Sequence, residues 1–349
     1  MSPPLKTDIL IVGGGPAGCA AAITARKAGL NVVLLEARAT PVRVPGETLH
    51  PGIESIFAQL GMRDRIYAAS FHRHRGIWVE WGRPRTFQPY GDDTNGPWLG
   101  FQADRATLSA LLLEGARSTG VSVLQSHRAI RILRKRERVI GVETRDREVR
   151  AYWVIDAGGG RHWLANQLGL KVERYSPLLV ARFGWHNSTE VAVNDPSLSA
   201  CCEGWDWEAA IGNNRIAWCK LRMFPNARPS QDTSSNKIAV QGPTVNATYD
   251  VTWRRVPNCA GAGYFILGDA ATVLDPASSH GVLRAMMSGI KAAHAIVQIF
   301  RGFPETLAIR DFNAWLSDWF NHDVRVLKTL YGKHPNAVSL MALFRGCVE

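Results

Sequence analysis

Residues Thr7–Ala37, TDILIVGGGPAGCAAAITARKAGLNVVLLEA, decide the fold. An apolar run, Ile9 to Val12, leads into Gly13, Gly15 and Gly18 in G-x-G-x-x-G spacing; an alanine-rich stretch of helical length and a second, largely apolar run, Asn31 to Leu35, follow. Strand, helix and strand make a βαβ unit. Gly13 permits the tight turn, Gly15 lets the backbone approach a pyrophosphate, and Gly18 lets the helix pack on the sheet. Pro16 and Ala17 lie between them at the head of the helix, whose N-terminal N–H groups attract phosphate. Glu36, with Ala37 after it, stands eighteen positions beyond Gly18 at the end of the second strand, where a carboxylate accepts both ribose hydroxyls. A lone glycine triplet is a weak signal; strand, helix, second strand and terminal acid together predict dinucleotide binding.

NAD and FAD both satisfy this pattern, so the rest of the chain must choose. The continuation is not that of a compact NAD dehydrogenase. "RVPGETLHPGIESIFAQLGM" comes first, then "FQADRATLSALLLEGA", a strand at "VSVLQS", a hairpin-like basic segment, and "YWVIDAGGGRH", an apolar strand ending in Asp156 with Gly158 just after it. A third such strand end opens "LGDAATVLDPASSHGVLRAMMSG", residues 267–289, with Gly268 and Asp269. No second G-x-G-x-x-G is visible.

A chain of 349 residues allows two or three domains, or one large composite α/β unit. The net charge of +11 favours anionic partners. Apart from "FHRHRG" and "RAIRILRKRERV" the basic residues are scattered, which reads as a solvated basic face and not as a nucleic-acid surface. The six cysteines include no C-x-x-C, and the close pair Cys201-Cys202 is too cramped for an ordinary bridge. A reducing cytoplasm fits, no metal site is expected, and no apolar run reaches the roughly 20 residues of a spanning helix, so no membrane association is expected.

Three glycine- or acid-capped strand ends in this order resemble the FAD-dependent hydroxylases and halogenases, whose fold is the glutathione-reductase-like, Rossmann-type α/β FAD-binding domain in its p-hydroxybenzoate-hydroxylase-like form. The resemblance implies FAD, a mostly antiparallel substrate sheet and C-terminal helices. It implies that Asp269 hydrogen-bonds the ribityl chain, that Pro276 packs beside the isoalloxazine, and that Gly281 and Val282 present helix N-terminal N–H groups to the flavin N1–C2 carbonyl region. Asp156 and Gly158 fall on the second strand end, and Arg105 of "ADRATL" matches the arginine opening a helix beside the cofactor.

Within that superfamily "PGETLHPGIESIFAQLG", "GWDWEAAIGNNRIAW" and "GDAATVLDPASSHGVLRAMMSG" resemble the LodB/GoxB-like flavoproteins that mature tryptophylquinone enzymes. Two departures from the tryptophan halogenases stand out. Those use a lysine downstream of the "GE" segment to handle hypohalous acid, and this chain has no lysine between Lys27 and Lys135. Their W-x-W-x-I-P signature survives only as Trp205 and Trp207, with Ala209-Ala210 replacing Ile-Pro. Arginine is a poor replacement, because it keeps its proton at neutral pH.

The resemblance therefore implies a monooxygenase in which FAD is reduced, traps O2 as the C4a-hydroperoxide and delivers OH to an electron-rich ring. Candidates for proton handling are Glu47 and His50 in "GETLHPG" and His280 in "SSHG". Each has an architectural alternative, as a hydrogen-bonding member of its turn. Trp205 and Trp207 alternate along a strand and are candidates to stack on a target ring or shield the site, with core packing as the alternative.

The expected organisation is a discontinuous FAD-binding domain (1–75, 100–165, 255–300), a substrate domain (76–99, 166–254) and a C-terminal helical segment (301–349), with "NARPSQDTSSNKIAVQGPTVNA" as a loop that admits substrate. The expected substrate is a tryptophan in a partner polypeptide; the alternatives are a free aromatic small molecule, isoprenoid-chain reduction, or a flavin-binding maturation chaperone without turnover. Electrons would come from NAD(P)H, bound transiently, or from a reduced-flavin supplier.

Overall fold

The structure is a computed structural model, described here for residues 4–41, 48–187, 195–212, 215–224 and 245–344. The opening strand, Leu5–Val12, contains Ile9, Leu10 and Ile11 with no solvent exposure at all. Burial on both faces is what a continuous apolar run specifies, and it puts this strand at the centre of a parallel sheet. It pairs in parallel with Val32–Glu36 on one side and Glu148–Asp156 on the other. Ser122–Gln125 extends the first side and Tyr264–Ile266 the second, both in parallel. The basic segment forms an antiparallel pair, Arg131–Lys135 with Arg138–Glu143, which joins the first half of the 148–156 strand.

Register brings Val12 beside Leu35 and Asp156, and Asp156 beside Ile266. Three distant strand ends, with Gly13, Asp156 and Gly268 at or just beyond them, thus share one edge. In an open parallel sheet that carboxyl edge is where ligands bind.

The helix Pro16–Lys27 starts at this edge with proline in its first turn and Arg26 and Lys27 in its last, in keeping with the helix dipole. It is crossed closely by Gly281–Phe300: a Cβ on Gly289 would lie 2.3 Å from the Ala17 carbonyl oxygen. Gly268 sits between them, its virtual Cβ 3.2 Å from Ala17 Cβ and 3.3 Å from Ala285 Cβ. The two helices are locked at backbone distance beside the sheet edge.

Among the described residues a second sheet of seven strands runs in the spatial order 245–250, 178–187, 215–224, 204–210, 197–201, 76–80, 86–89. Every pairing in it is antiparallel except that of Ser197–Cys201 with Gly76–Glu80. One face packs on the C-terminal half of the long helix Glu305–Tyr331, through Phe320, Val324, Leu327 and Tyr331, and on Leu340 and Phe344 of Ala337–Phe344. The α/β fold class, with its mostly antiparallel second sheet and C-terminal helices, is as the sequence predicts. The loop expected from residue 226 lies outside the described residues as far as 244; its last residues, from Val245, begin an edge strand. Among the described residues no helix is long and apolar enough to cross a membrane, and no cluster of metal-ligating side chains occurs.

Candidate functional site

The glycines along the carboxyl edge divide into two kinds. Gly13 has φ +105° and a virtual Cβ 2.4 Å from the Ala157 carbonyl oxygen, and that of Gly18 is 2.0 Å from the Gly13 carbonyl oxygen, so both are fixed by packing within the protein. A Cβ on Gly15 or on Gly281 would meet nothing within 4 Å. Glycine at those two positions leaves open space in front of a helix N-terminus, which is the shape a cofactor phosphate and a flavin edge require.

Glu36 lies beside the glycine turn. Its two carboxylate oxygens accept the N–H of Gly14 at 2.8 Å and of Arg38 at 2.9 Å, and their remaining lone pairs are available to ribose hydroxyls. Ala37 is exposed next to it.

Asp156 is completely buried and points into its own turn, where it accepts Gly158 N–H and Leu164 N–H, each at 2.8 Å. Its place here is in holding the 156–164 turn. Burial raises its carboxyl above the usual range, and those two bonds oppose the rise.

Asp269 is reached by solvent yet walled in by protein, as at the floor of an open cleft. The surrounding protein raises its carboxyl, and the positive potential of Arg284, Arg105, Arg254 and His162 counters this. Arg105 opens the helix Arg105–Ser118 and is nearly buried.

A clamp absent from the sequence reading holds this turn in shape. Arg254 Nε donates to His162 Nε2 at 2.9 Å, His162 Nδ1 donates to the Ala270 carbonyl at 2.7 Å, and a second Arg254 nitrogen donates to the Gly160 carbonyl at 3.1 Å. The network joins the 158–160 and 268–270 turns. Burial, reinforced by the Arg254 charge, keeps His162 below the ordinary imidazole range. Nothing in the local sequence around His162 or Arg254 announces the pairing, which spans 92 residues.

Further along the chain Pro276 and Gly281 are exposed and Val282 is half-buried. His280 precedes the first turn of the 20-residue helix Gly281–Phe300, and its ring lies 5.0 Å from that of His50, centroid to centroid. His50 also meets Tyr90 edge-on at 5.2 Å. The structure therefore brings together the two histidines that the sequence singled out separately, and adds Tyr90. Glu47 lies outside the described residues.

Their electrostatics differ. Burial, then the positive potential of His50 and Arg284, pushes His280 down to about 4, with Asp323 acting against it. Neither of its ring nitrogens is engaged by a described side chain. His50 is lowered by burial alone, and its Nδ1 accepts the Gly52 N–H at 3.1 Å. A neutral His50 must then carry its proton on Nε2 and act as a donor, whereas His280 keeps a free lone pair.

Trp205 is buried in the second core, and its indole N–H donates to the Tyr331 hydroxyl at 3.0 Å. Trp207, two residues on, is half-buried against the same cluster.

The FAD-binding domain family matches residues 6–215 of the chain. The chain belongs to that family. It is 26% identical over 349 residues to a tryptophan 2-halogenase of Chondromyces crocatus, an alignment covering 89% of this chain and 65% of the relative. It therefore spans a little under two thirds of that relative's length. It is 30% identical over 308 residues to a digeranylgeranylglycerophospholipid reductase of Methanoculleus marisnigri, covering 82% of this chain and 75% of the relative. Among solved structures the myxobacterial chondrochloren halogenase superimposes with a TM-score of 0.85 at 23% identity, covering 95% of this chain and 84% of that one. The protein thus carries the FAD-binding domain of that family and shares its fold with a flavin-dependent halogenase. The open space at Gly15 and Gly281, the free valences of Glu36 and the solvent-facing Asp269 fit FAD along the carboxyl edge.

Proposed function

We propose that the protein is an FAD-dependent monooxygenase that hydroxylates an electron-rich aromatic ring, and that the ring is a tryptophan side chain of a partner polypeptide. The observation that carries the reaction class is the pairing of His280 and His50 at the head of the helix Gly281–Phe300, in a chain without a lysine between Lys27 and Lys135. A neutral imidazole pair handles protons, and the group associated with hypohalous acid is missing. The identity of the ring rests on the sequence resemblance to the tryptophylquinone-maturing flavoproteins.

When bound, FAD supplies the two-electron activation of O2. Gly15 and the N-terminus of the helix Pro16–Lys27 would hold the pyrophosphate, Glu36 the ribose and Asp269 the ribityl chain. The N–H groups of Gly281 and Val282, at the head of their helix, would face the flavin and favour negative charge there. A ring C–H and O2, with two electrons and two protons drawn from NAD(P)H and solvent or from a reduced-flavin supplier, would give a ring C–OH and water. His280 accepts the ring proton on its free lone pair, and His50 donates through Nε2–H to oxygen at the same place. An indole is nucleophilic without prior deprotonation, so no stronger base is required.

The test is intact-mass analysis of candidate partner polypeptides and of free indoles after incubation with the holoprotein, a reductant and isotopically heavy oxygen. A gain of one or two labelled oxygen atoms on a tryptophan of the polypeptide supports the full reading. Labelled product from free indoles only would shift the substrate to a small molecule. Reduction of an isoprenoid chain without oxygen uptake would defeat the monooxygenase reading, and a halogenated product in the presence of halide would do the same.

A further inference from the structure

Asp275 precedes Pro276 and is completely buried, a costly place for a carboxyl. Its Oδ1 accepts the Ala277 N–H at 2.8 Å and so caps the short 3-10 turn Pro276–Ser278. Its Oδ2 accepts the hydroxyl of Tyr331, 56 residues away at the end of the long helix Glu305–Tyr331. The Tyr331 oxygen in turn accepts the indole N–H of Trp205 from the strand Gly204–Ala210. One hydrogen-bonded column therefore joins the seven-stranded sheet, the C-terminal helix and the turn that ends in His280. All three side chains are buried.

We propose that Tyr331 is a positioning residue for the reaction: it fixes the Asp275–His280 turn, and with it the head of the helix Gly281–Phe300, against strand Gly204–Ala210. The proposal rests on the monooxygenase reading only for what the turn finally serves. Between Asp275 and His280 the backbone is tightly wound, through the 3-10 turn and a left-handed Ser279 (φ 51°), so a displacement at Asp275 passes to His280 with little slack. Aromatic neighbours keep the phenol in place: Trp81 edge-on at 5.8 Å and Phe344 at 6.1 Å.

Orientation along the column depends on the charge of Asp275. As a carboxylate it accepts the Tyr331 proton; protonated on Oδ2 it becomes a donor, and the Tyr331 O–H, already accepting from Trp205, loses its acceptor. The groups facing the pair include Trp205 from its strand, Trp253, whose ring lies 6.0 Å from that of Tyr331 and whose indole favours the Asp275 carboxylate, Cys201 from the neighbouring strand Ser197–Cys201, and the His334 ring 6.4 Å from Tyr331. Burial brings the Asp275 carboxyl up to about 6, with the Tyr331 hydrogen bond the largest influence in the other direction. The change of orientation therefore falls within an accessible pH range.

The experiment is the dissociation constant of FAD from pH 5 to 8, measured by flavin fluorescence with no reductant or substrate, on wild type, Tyr331→Phe and Asp275→Asn, with thermal unfolding of each. In wild type, affinity should weaken as pH falls through about 6. Tyr331→Phe should weaken FAD binding at pH 7 about tenfold and move the midpoint up by about one pH unit, the size of one hydrogen bond to a charged acceptor. Asp275→Asn, which keeps the turn cap, should abolish the step. A folded Tyr331→Phe protein with wild-type affinity and midpoint overturns the proposal. So does a step that persists in Asp275→Asn, which decides the matter even if Tyr331→Phe does not fold. The monooxygenase reading fails separately: flavin binding of this kind without oxygen transfer defeats that reading alone, whereas oxygen transfer with a flat titration defeats this proposal alone.

Discussion

His50 and His280 stand ring to ring at 5.0 Å, although 230 residues separate them in the chain. One belongs to the turn after the short strand Thr48–Leu49 and the other heads the helix Gly281–Phe300, so the contact ties the N-terminal third of the chain to the head of that helix. Two neutral imidazoles in contact have separable duties when one has its acceptor nitrogen occupied, as His50 does through Gly52.

That separation predicts unequal effects of substitution. His280→Gln removes the free lone pair and should lower the hydroxylation rate about 100-fold or more, within the usual contribution of a general base. His50→Gln keeps a donor and should cost about tenfold or less. The initial rate of product formation at saturating reductant is the measurement; equal losses in the two variants would contradict the assignment.

His280 also fixes a direction of acid sensitivity. Its folded-state value of about 4 lies below the ordinary 6.5, so the unfolded chain binds a proton that the folded protein resists between those pH values. Its contribution to stability is fully present above about 6.5 and is lost as pH falls towards 4. The loss should be on the order of 2 kcal/mol, allowing for the partial solvent access of the ring. Wild type and His280→Gln, compared by denaturant unfolding of the apoprotein at pH 7.5 and about 5, should diverge on acidification, with the variant losing less.

The two kinds of glycine make a paired prediction. Gly18→Ala places a Cβ 2.0 Å from a backbone oxygen and should destabilise the apoprotein by about 3 kcal/mol or prevent folding. Gly15→Val meets no protein atom at its Cβ, so the apoprotein should melt near the wild-type temperature and yet fail to retain FAD. Flavin content after gel filtration, set beside the melting temperature, checks both. A Gly15→Val protein that keeps its flavin would remove the pyrophosphate from this turn.

The parts legible in the sequence are those whose physics is local. The βαβ unit announces itself because a buried parallel strand must be continuously apolar and its glycines must sit at fixed spacing, and the 158–160 and 268–269 turns are marked by the same glycine and acid chemistry. Asp156 was legible as a strand end, but its capping of Leu164 was not, since that bond depends on how the turn folds back. Trp205 and Trp207 were legible as alternating residues of one strand, yet the Tyr331 partner of Trp205 lies 126 residues away. The clamp of Arg254 on His162 and the approach of Tyr90 to His50 are likewise tertiary contacts, for which no periodicity or spacing gives a signal.

The last prediction concerns halide. In the segment where the halogenase lysine is expected, the structure commits the first guanidinium elsewhere: Arg73 donates to the Leu99 carbonyl at 2.9 Å, pairs with Glu54 at 3.0 Å, and lies over the Phe101 ring at 3.9 Å. His74 is buried and bound through Nδ1 to the Gly76 carbonyl at 3.0 Å, and Arg75 is exposed. None of these groups offers a mobile ammonium to the cleft, and a guanidinium holds its proton far above neutral pH. Chloride or bromide added to the complete reaction should therefore leave the products unchanged, with oxygen incorporated and no halogen. Mass spectrometry resolves the two outcomes by isotope pattern. Replacing Arg73 with lysine should not create halogenation either, because the contacts with Glu54 and the Leu99 carbonyl would hold an ammonium in the same place.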